Sequence, residues 1–258
     1  MAYDAGDPRL IKLATQNGEV PGVGATVVER YDYPLIFEPG TSFAYGASMD
    51  WVGQLVERLS GVTLEEYMKK NMWQPLGITT ITFFPYQNAA LKDRVPGLTM
   101  RTPEGKLVPH TAPFLNTGSK DAFGGHGAYA TMADYIKVQR SILANNGKLL
   151  KPETVDLMFQ PQLTPQSTQG LNKILRGPMA ALFIGELKDP NELEMNWGLG
   201  GLLFMQDDVG RRKKVCPSPI RPTSKLARYA DDVFCRAHCI GAACRIPFGS
   251  SIARPISR

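Results

Sequence analysis

The chain has 258 residues, 43% hydrophobic and 21% charged, an ordinary globular composition with enough length to bury a sizeable core. Its formal net charge of +5 lies beyond Val215, where Arg221, Lys225, Arg228, Arg236, Arg245, Arg254 and Arg258 stand against Asp231 and Asp232. Residues 1–215 are neutral overall and offer no continuous basic face for a phosphate backbone, so no nucleic-acid partner is expected.

No apolar run approaches the roughly 20 residues of a bilayer span, and no basic segment followed by an apolar one opens the chain. The expectation is a cytoplasmic protein with no membrane partner. Cys216, Cys235, Cys239 and Cys244 all fall in the basic tail, leaving residues 1–215 without a possible disulfide, as suits a reducing compartment.

In chain order, residues 1–21 read as a loop-rich entry with one short helical stretch at 8–15, where Leu10, Ile11 and Leu13 are apolar. Pro39-Gly40 signals a turn. Trp51, Val52, Leu55, Val56 and Leu59 then recur at helical spacing, and Gly61 ends that helix. Thr63 with Glu66 forms a capping box opening a second helix that runs to about Trp73, where Pro75-Leu76-Gly77 stops it. Residues 78–118 are turn-rich, with a hairpin expected around 101–106.

Gly124-Gly125-His126-Gly127 leads to another helix start at Thr131 with Asp134, and Asn146-Gly147 closes the helix. Pro152 sits in the first turn of a short helix through Phe159, where its missing N–H costs nothing. Residues 196–205 read as one glycine-rich strand, whose glycines suggest a bulge or a close backbone approach. After Lys214 the composition breaks. Residues 215–258 lack periodicity and are expected to be a disordered tail unrelated to what precedes them, whether an evolved extension or translation of an unspliced or frame-shifted exon. Cys235, His238, Cys239 and Cys244 match no common zinc spacing, so no metal is expected.

Glu38-Pro39-Gly40-Thr41, Phe43-Ala44-Tyr45-Gly46, Met49-Asp50-Trp51-Val52-Gly53, Leu64-Glu65-Glu66-Tyr67 and Pro75-Leu76-Gly77 follow one another in an order that resembles the serine β-lactamase-like family. Gly124-Gly125-His126-Gly127 with Asp134-Tyr135, and the run from Leu149 to Val155, continue the resemblance over about residues 3–214. The family includes class C β-lactamases, family VIII esterases and fungal transesterases of the lovastatin type, and the last branch looks most similar.

The resemblance implies an α+β fold of the β-lactamase/transpeptidase type, here the helical subdomain plus part of an antiparallel sheet. It implies serine-ester acyl transfer from a small-molecule ester or thioester to water or a small-molecule alcohol, possible in secondary metabolism, with no metal or organic cofactor. Tyr45 falls on the family's catalytic tyrosine; taken alone, without the flanking motifs, it reads more readily as a loop aromatic packing on Trp51. Ala47 replaces the asparagine with which β-lactamases bind the lactam side-chain amide, which favours esters or thioesters. Gly125 and His126 are candidate substrate contacts in a loop the family places near the cleft. Trp197 is a candidate for the acyl pocket beside the plainer role of a core aromatic.

The family's Ser-x-x-Lys does not occur in these residues. Thr117-Gly118-Ser119-Lys120 has the spacing with the wrong hydroxyl and follows Tyr45 instead of preceding it, and Ser251 has Arg254 in the lysine place. Residues 1–214 are therefore expected to be a partial domain without the Ser-x-x-Lys segment and the last strands, inactive as this fragment. The alternative is a non-catalytic paralogue that binds a ligand or partner. Amide exchange across residues 216–258 is expected to be near-immediate; slow exchange over 229–243 would mark a folded element there and overturn the tail assignment.

Overall fold

The computed structural model describes residues 7–110, 116–177, 184 and 193–207. The tail from 215 to 258, with all its cysteines and His238, lies outside the described residues.

Local sequence chemistry accounts for most of the helices. α1 (Pro8–Gln16) starts at Asp7, whose carboxylate accepts the Arg9 N–H and pairs with the Arg9 guanidinium, which holds the Asp7 carboxyl down at about 2. α2 (Val27–Tyr31) has a full capping box between Thr26 and Glu29. α3 (Ser48–Ser60) carries Asp50 in its first turn, where a negative charge meets the helix dipole, and ends at Gly61 in the left-handed region with φ 72°.

The expected capping box of Thr63 and Glu66 opens α4 (Leu64–Met68), which continues through a π turn (Lys69–Trp73) and a 3-10 turn (Gln74–Leu76) to Gly77 at φ 62°. Glu57 of α3 accepts the Leu64 N–H at 2.8 Å, and the Leu64 side chain fills the space beside Gly53, so the two helices are joined at a corner. The expected hairpin forms as β1 (Thr99–Arg101) and β2 (Leu107–Pro109), with Thr99 opposite Pro109.

α5 (Met132–Ala144) is capped by Thr131 as expected, but it ends at Asn145, left-handed at φ 44°, ahead of Asn146-Gly147. Asparagine tolerates that conformation better than other residues with a side chain. α6 (Pro152–Met158) begins with the expected proline. α7 (Pro165–Leu175), capped by Thr164, and α2 are helices the sequence signals above did not include.

Residues 196–205 do not form a single strand. They belong to an antiparallel hairpin of β3 (Met195–Trp197) and β4 (Leu202–Phe204), in the register Met195 opposite Phe204, and the glycines between them turn the chain. The close backbone approach those glycines suggested is present: Gly198 lies so near the Met158 carbonyl that no β-carbon fits, and Gly200 N–H donates to the same oxygen at 3.1 Å. The hairpin packs on α7 through Leu171, Leu175, Met195, Leu202 and Phe204. Asn172 of α7 behaves as a strand neighbour, its amide donating to Met195 O at 2.7 Å and accepting from Met195 N–H at 3.0 Å.

A second core, Leu64, Trp73, Ile78, Phe83 and Ala122, lies beneath α4 and α5. Two carboxylates, half-buried Glu65 and buried Asp134, hold the irregular chain over it. Glu65 accepts Phe83 N–H and the Thr82 hydroxyl, each at 2.8 Å. Asp134 accepts Thr80 N–H at 3.1 Å and the Thr80 hydroxyl at 2.7 Å, and pairs with Lys137 at 2.6 Å. The Lys137 ammonium, then the Thr80 hydroxyl, hold the Asp134 carboxyl far below the usual carboxylate range. Among the described residues no helix is long and apolar enough to cross a membrane.

Because Asp134 has a lowered folded-state pKa, its contribution to stability is present above about pH 4, the unfolded value, and is lost as pH falls through the folded one. Asp134→Ala is expected to cost roughly 2–4 kcal/mol at neutral pH by stranding the Thr80 donors, with a smaller penalty in strong acid. Urea unfolding of both chains at neutral and acid pH measures this; a neutral-pH difference under about 0.5 kcal/mol, the size of an ordinary surface substitution, would contradict it.

Candidate functional site

The segment carrying Tyr45 is fixed from below by α7. The Thr164 hydroxyl donates to Gly40 O at 2.6 Å, the Ser167 hydroxyl lies 3.1 Å from Gly40 O and 3.0 Å from Ser42 O, and Gly170 lets α7 approach the Phe43 backbone. Phe43 then stacks obliquely on Trp197 with centroids 5.6 Å apart. Tyr45 meets the same indole edge-on at 6.4 Å and keeps half its surface (51%) exposed. Two sequence-predicted residues, Tyr45 and Trp197, are thus brought together, with Phe43 as a third member that the motifs did not single out.

Gly125 and His126 are brought together around a different residue. Asp50, 2% exposed in the first turn of α3, accepts the Gly125 N–H at 3.0 Å and stands 3.5 Å from His126 Nδ1. The imidazole lies beside Phe123 (5.4 Å) and Tyr31 (6.5 Å), and the Arg30 guanidinium caps the Phe123 ring from 4.0 Å. Arg30 is itself buried, donating to Gly24 O and to Asn116 Oδ1. Burial first, and the Asp50 charge second, push the Tyr31 phenol up.

Both groups meet α3 at its start: Tyr45 just before the helix and Asp50 in its first turn. Asp50 was the residue the motif reading passed over, although an acid within the apolar run Met49-Asp50-Trp51-Val52 signals a buried carboxylate in need of partners. Thr117 lies in a turn whose end is tied to Ala25 through the Lys120 N–H, and none of its hydrogen bonds reaches the Tyr45 group.

Among the described residues no group of three or more His, Cys, Asp or Glu side chains converges as a metal site would. A concavity of about 560 Å³ lies between α7 and the β3–β4 hairpin, lined by Thr168, Asn172, Lys173, Arg176, Glu194 and Gln206. It contains none of the residues of either aromatic group, which lie instead at the head of α3.

Residues 4–201 match the family model described as Beta-lactamase. The chain belongs to the beta-lactamase family. Within that family it is 39% identical over 213 residues to a lovastatin esterase of Penicillium rubens, covering 81% of this chain and 53% of that protein. It is 36% identical over 191 residues to a monacolin J acid methylbutanoyltransferase of Aspergillus terreus, covering 72% of this chain and 46% of that protein. The fold agrees with that of a mutant simvastatin synthase from Aspergillus terreus, with a TM-score of 0.73 and 28% identity over 95% of this chain and 63% of that one. The chain therefore has the β-lactamase/transpeptidase-like fold, and it spans about half the length of the curated relatives it matches.

Proposed function

We propose that this chain is part of an acyl-transfer enzyme of the beta-lactamase family, with Tyr45 as its proton-transfer residue and a small-molecule ester or thioester as acyl donor. A serine hydroxyl attacks the donor carbonyl, and its proton passes to a base and from there to the departing alcohol or thiol. Water or a small-molecule alcohol then takes the acyl group from the serine, and the acceptor's own proton passes through the base to the serine oxygen. The names of the relatives support both outcomes, since one is an esterase and another a methylbutanoyltransferase.

One observation carries the reading: a half-exposed phenol at the head of α3 set edge-on to an indole, with Phe43 behind it. That wall gives a short apolar acyl chain a surface beside the group that moves the proton. Ala47 at the position where β-lactamases carry asparagine supports an ester or thioester over a lactam. Gly125 and His126 serve as substrate contacts, with no metal or organic cofactor in the chemistry. The cysteine-free body supports a cytoplasmic location.

No serine here has lysine three residues on, so the nucleophile in this reading comes from sequence joined to this chain. The full transcript is expected to encode Ser-x-x-Lys in frame ahead of Tyr45; stop codons throughout the upstream sequence would instead favour a non-catalytic binding protein. This chain alone is expected to give no adduct with a fluorophosphonate or a p-nitrophenyl ester by intact mass. A stoichiometric adduct on one of its own serines would overturn that placement of the nucleophile. In the protein from the full transcript, Tyr45→Phe is expected to lower kcat by roughly 10²–10⁴, because it removes only the hydroxyl. Retention of more than about a tenth of kcat, with folding confirmed by circular dichroism, would assign the base elsewhere.

A further inference from the structure

The loop Gly124-Gly125-His126-Gly127 is seated on the first turn of α3 at contact distance. A β-carbon at Gly124 would lie 2.7 Å from Met49 O, one at Gly125 2.8 Å from Asp50 Oδ2, and one at Gly127 2.7 Å from Phe123 O. None of these three glycines has a positive φ, so the need is for space rather than for an unusual conformation. Only position 126 has room for a side chain, and the side chain there is an imidazole.

The Asp50 carboxylate meets that loop twice, through the Gly125 N–H at 3.0 Å and His126 Nδ1 at 3.5 Å. A neutral imidazole has one N–H and one lone pair. With a carboxylate oxygen facing Nδ1, a lone pair there would set two acceptors against each other, so the proton belongs on Nδ1. Nε2, on the far side of the ring, then carries the lone pair; no described residue pairs with it, and the His126 side chain is 23% exposed. The other polar neighbours leave this arrangement intact: Arg30 is committed to Gly24, Asn116 and the Tyr31 hydroxyl, and Tyr31 meets the imidazole by its ring.

We propose that Asp50 is the positioning residue of this loop, fixing His126 with Nδ1–H toward the carboxylate so that Nε2 accepts the hydroxyl proton of the incoming acyl acceptor, an alcohol or water. The proposal rests on the reading that the loop borders the substrate cleft. It gives the acceptor step its own hydrogen-bonding group, separate from Tyr45. In that step the acceptor oxygen attacks the acyl carbonyl as its proton passes to Nε2, the bond from the acyl carbon to the serine oxygen breaks, and the proton on Nε2 is passed on to that departing oxygen.

The test begins with this chain, using long-range proton–nitrogen correlation spectra with His126 assigned through His126→Gln. The parent is expected to show His126 mainly as the Nδ1–H tautomer. Asp50→Asn, which keeps the shape and an acceptor oxygen but loses the charge, is expected to shift the tautomer ratio about tenfold toward Nε2–H, as removal of the charge facing Nδ1 from 3.5 Å would. The same variant should hold Gly125 amide exchange within about threefold of the parent, whereas Asp50→Ala and Gly125→Ala should speed it about tenfold or more, with α7 amides as the folding control. An unchanged tautomer in Asp50→Asn, or Gly125 exchange within about twofold of the parent in a folded Asp50→Ala, overturns the positioning role. If Asp50→Ala does not fold, the isosteric Asp50→Asn spectrum still decides.

In the protein from the full transcript, Asp50→Asn is expected to slow transfer to acceptor about tenfold while leaving the acylation burst within about twofold. A changed tautomer with unchanged acceptor kinetics overturns the acceptor contact and the placement of the loop at the cleft, and leaves the acyl-transfer reading through Tyr45 standing.

Discussion

Loops and helix starts in this chain carry backbone N–H groups that neither helix nor strand satisfies, and carboxylates meet them. Asp50 takes Gly125 N–H, Asp121 takes Val27 N–H, Glu57 takes Leu64 N–H, Glu65 takes Phe83 N–H, and Asp134 takes the Thr79 and Thr80 amides. Buried amides without partners are costly, so each of these acids fixes a loop in one place. The described strands form only two separate two-stranded hairpins, and the position of the loops depends on these pairings.

The candidate site is assembled by the same means. α3 is the common support: its approach segment bears Tyr45, and its first turn bears Asp50, which holds the 124–127 loop. α7 reaches the site from the other side through Thr164 and Ser167, which grip the carbonyls of Gly40 and Ser42, and through the hairpin that carries Trp197. A helix distant in sequence thus sets both the tyrosine segment and the indole it faces.

What could be read from the residues was what chemistry within four positions decides. The Thr63 and Thr131 caps, the Gly61 stop, the proline opening α6 and the hairpin around residues 101–106 all follow from side chains next to the backbone they satisfy. The fold class follows from motif order rather than from periodicity, and the proposal for Tyr45 rests on the same order. The link from Asp50 to Gly125 spans 75 positions, and that from Asn172 to Met195 spans 23, so neither leaves a local trace. The glycines of residues 196–205 pointed correctly to a close approach, yet they could not distinguish a bulged strand from a reversal, because the Met158 carbonyl that decides it belongs to α6. α7 was missed although Thr164-Pro165 is a sound start signal, since its apolar residues cluster only in its second half.

The amide of Asn172 has a consequence for how this sheet can grow. Met195 has both backbone groups bound to that side chain, Trp197 N–H is taken by the Asn196 side chain at 2.8 Å, and Trp197 O accepts Gln162 N–H at 2.9 Å. The outer edge of β3 is therefore saturated, with no ladder left to offer an incoming strand. Asn172 and Asn196, with the Gln162 backbone, thereby close that side of the hairpin.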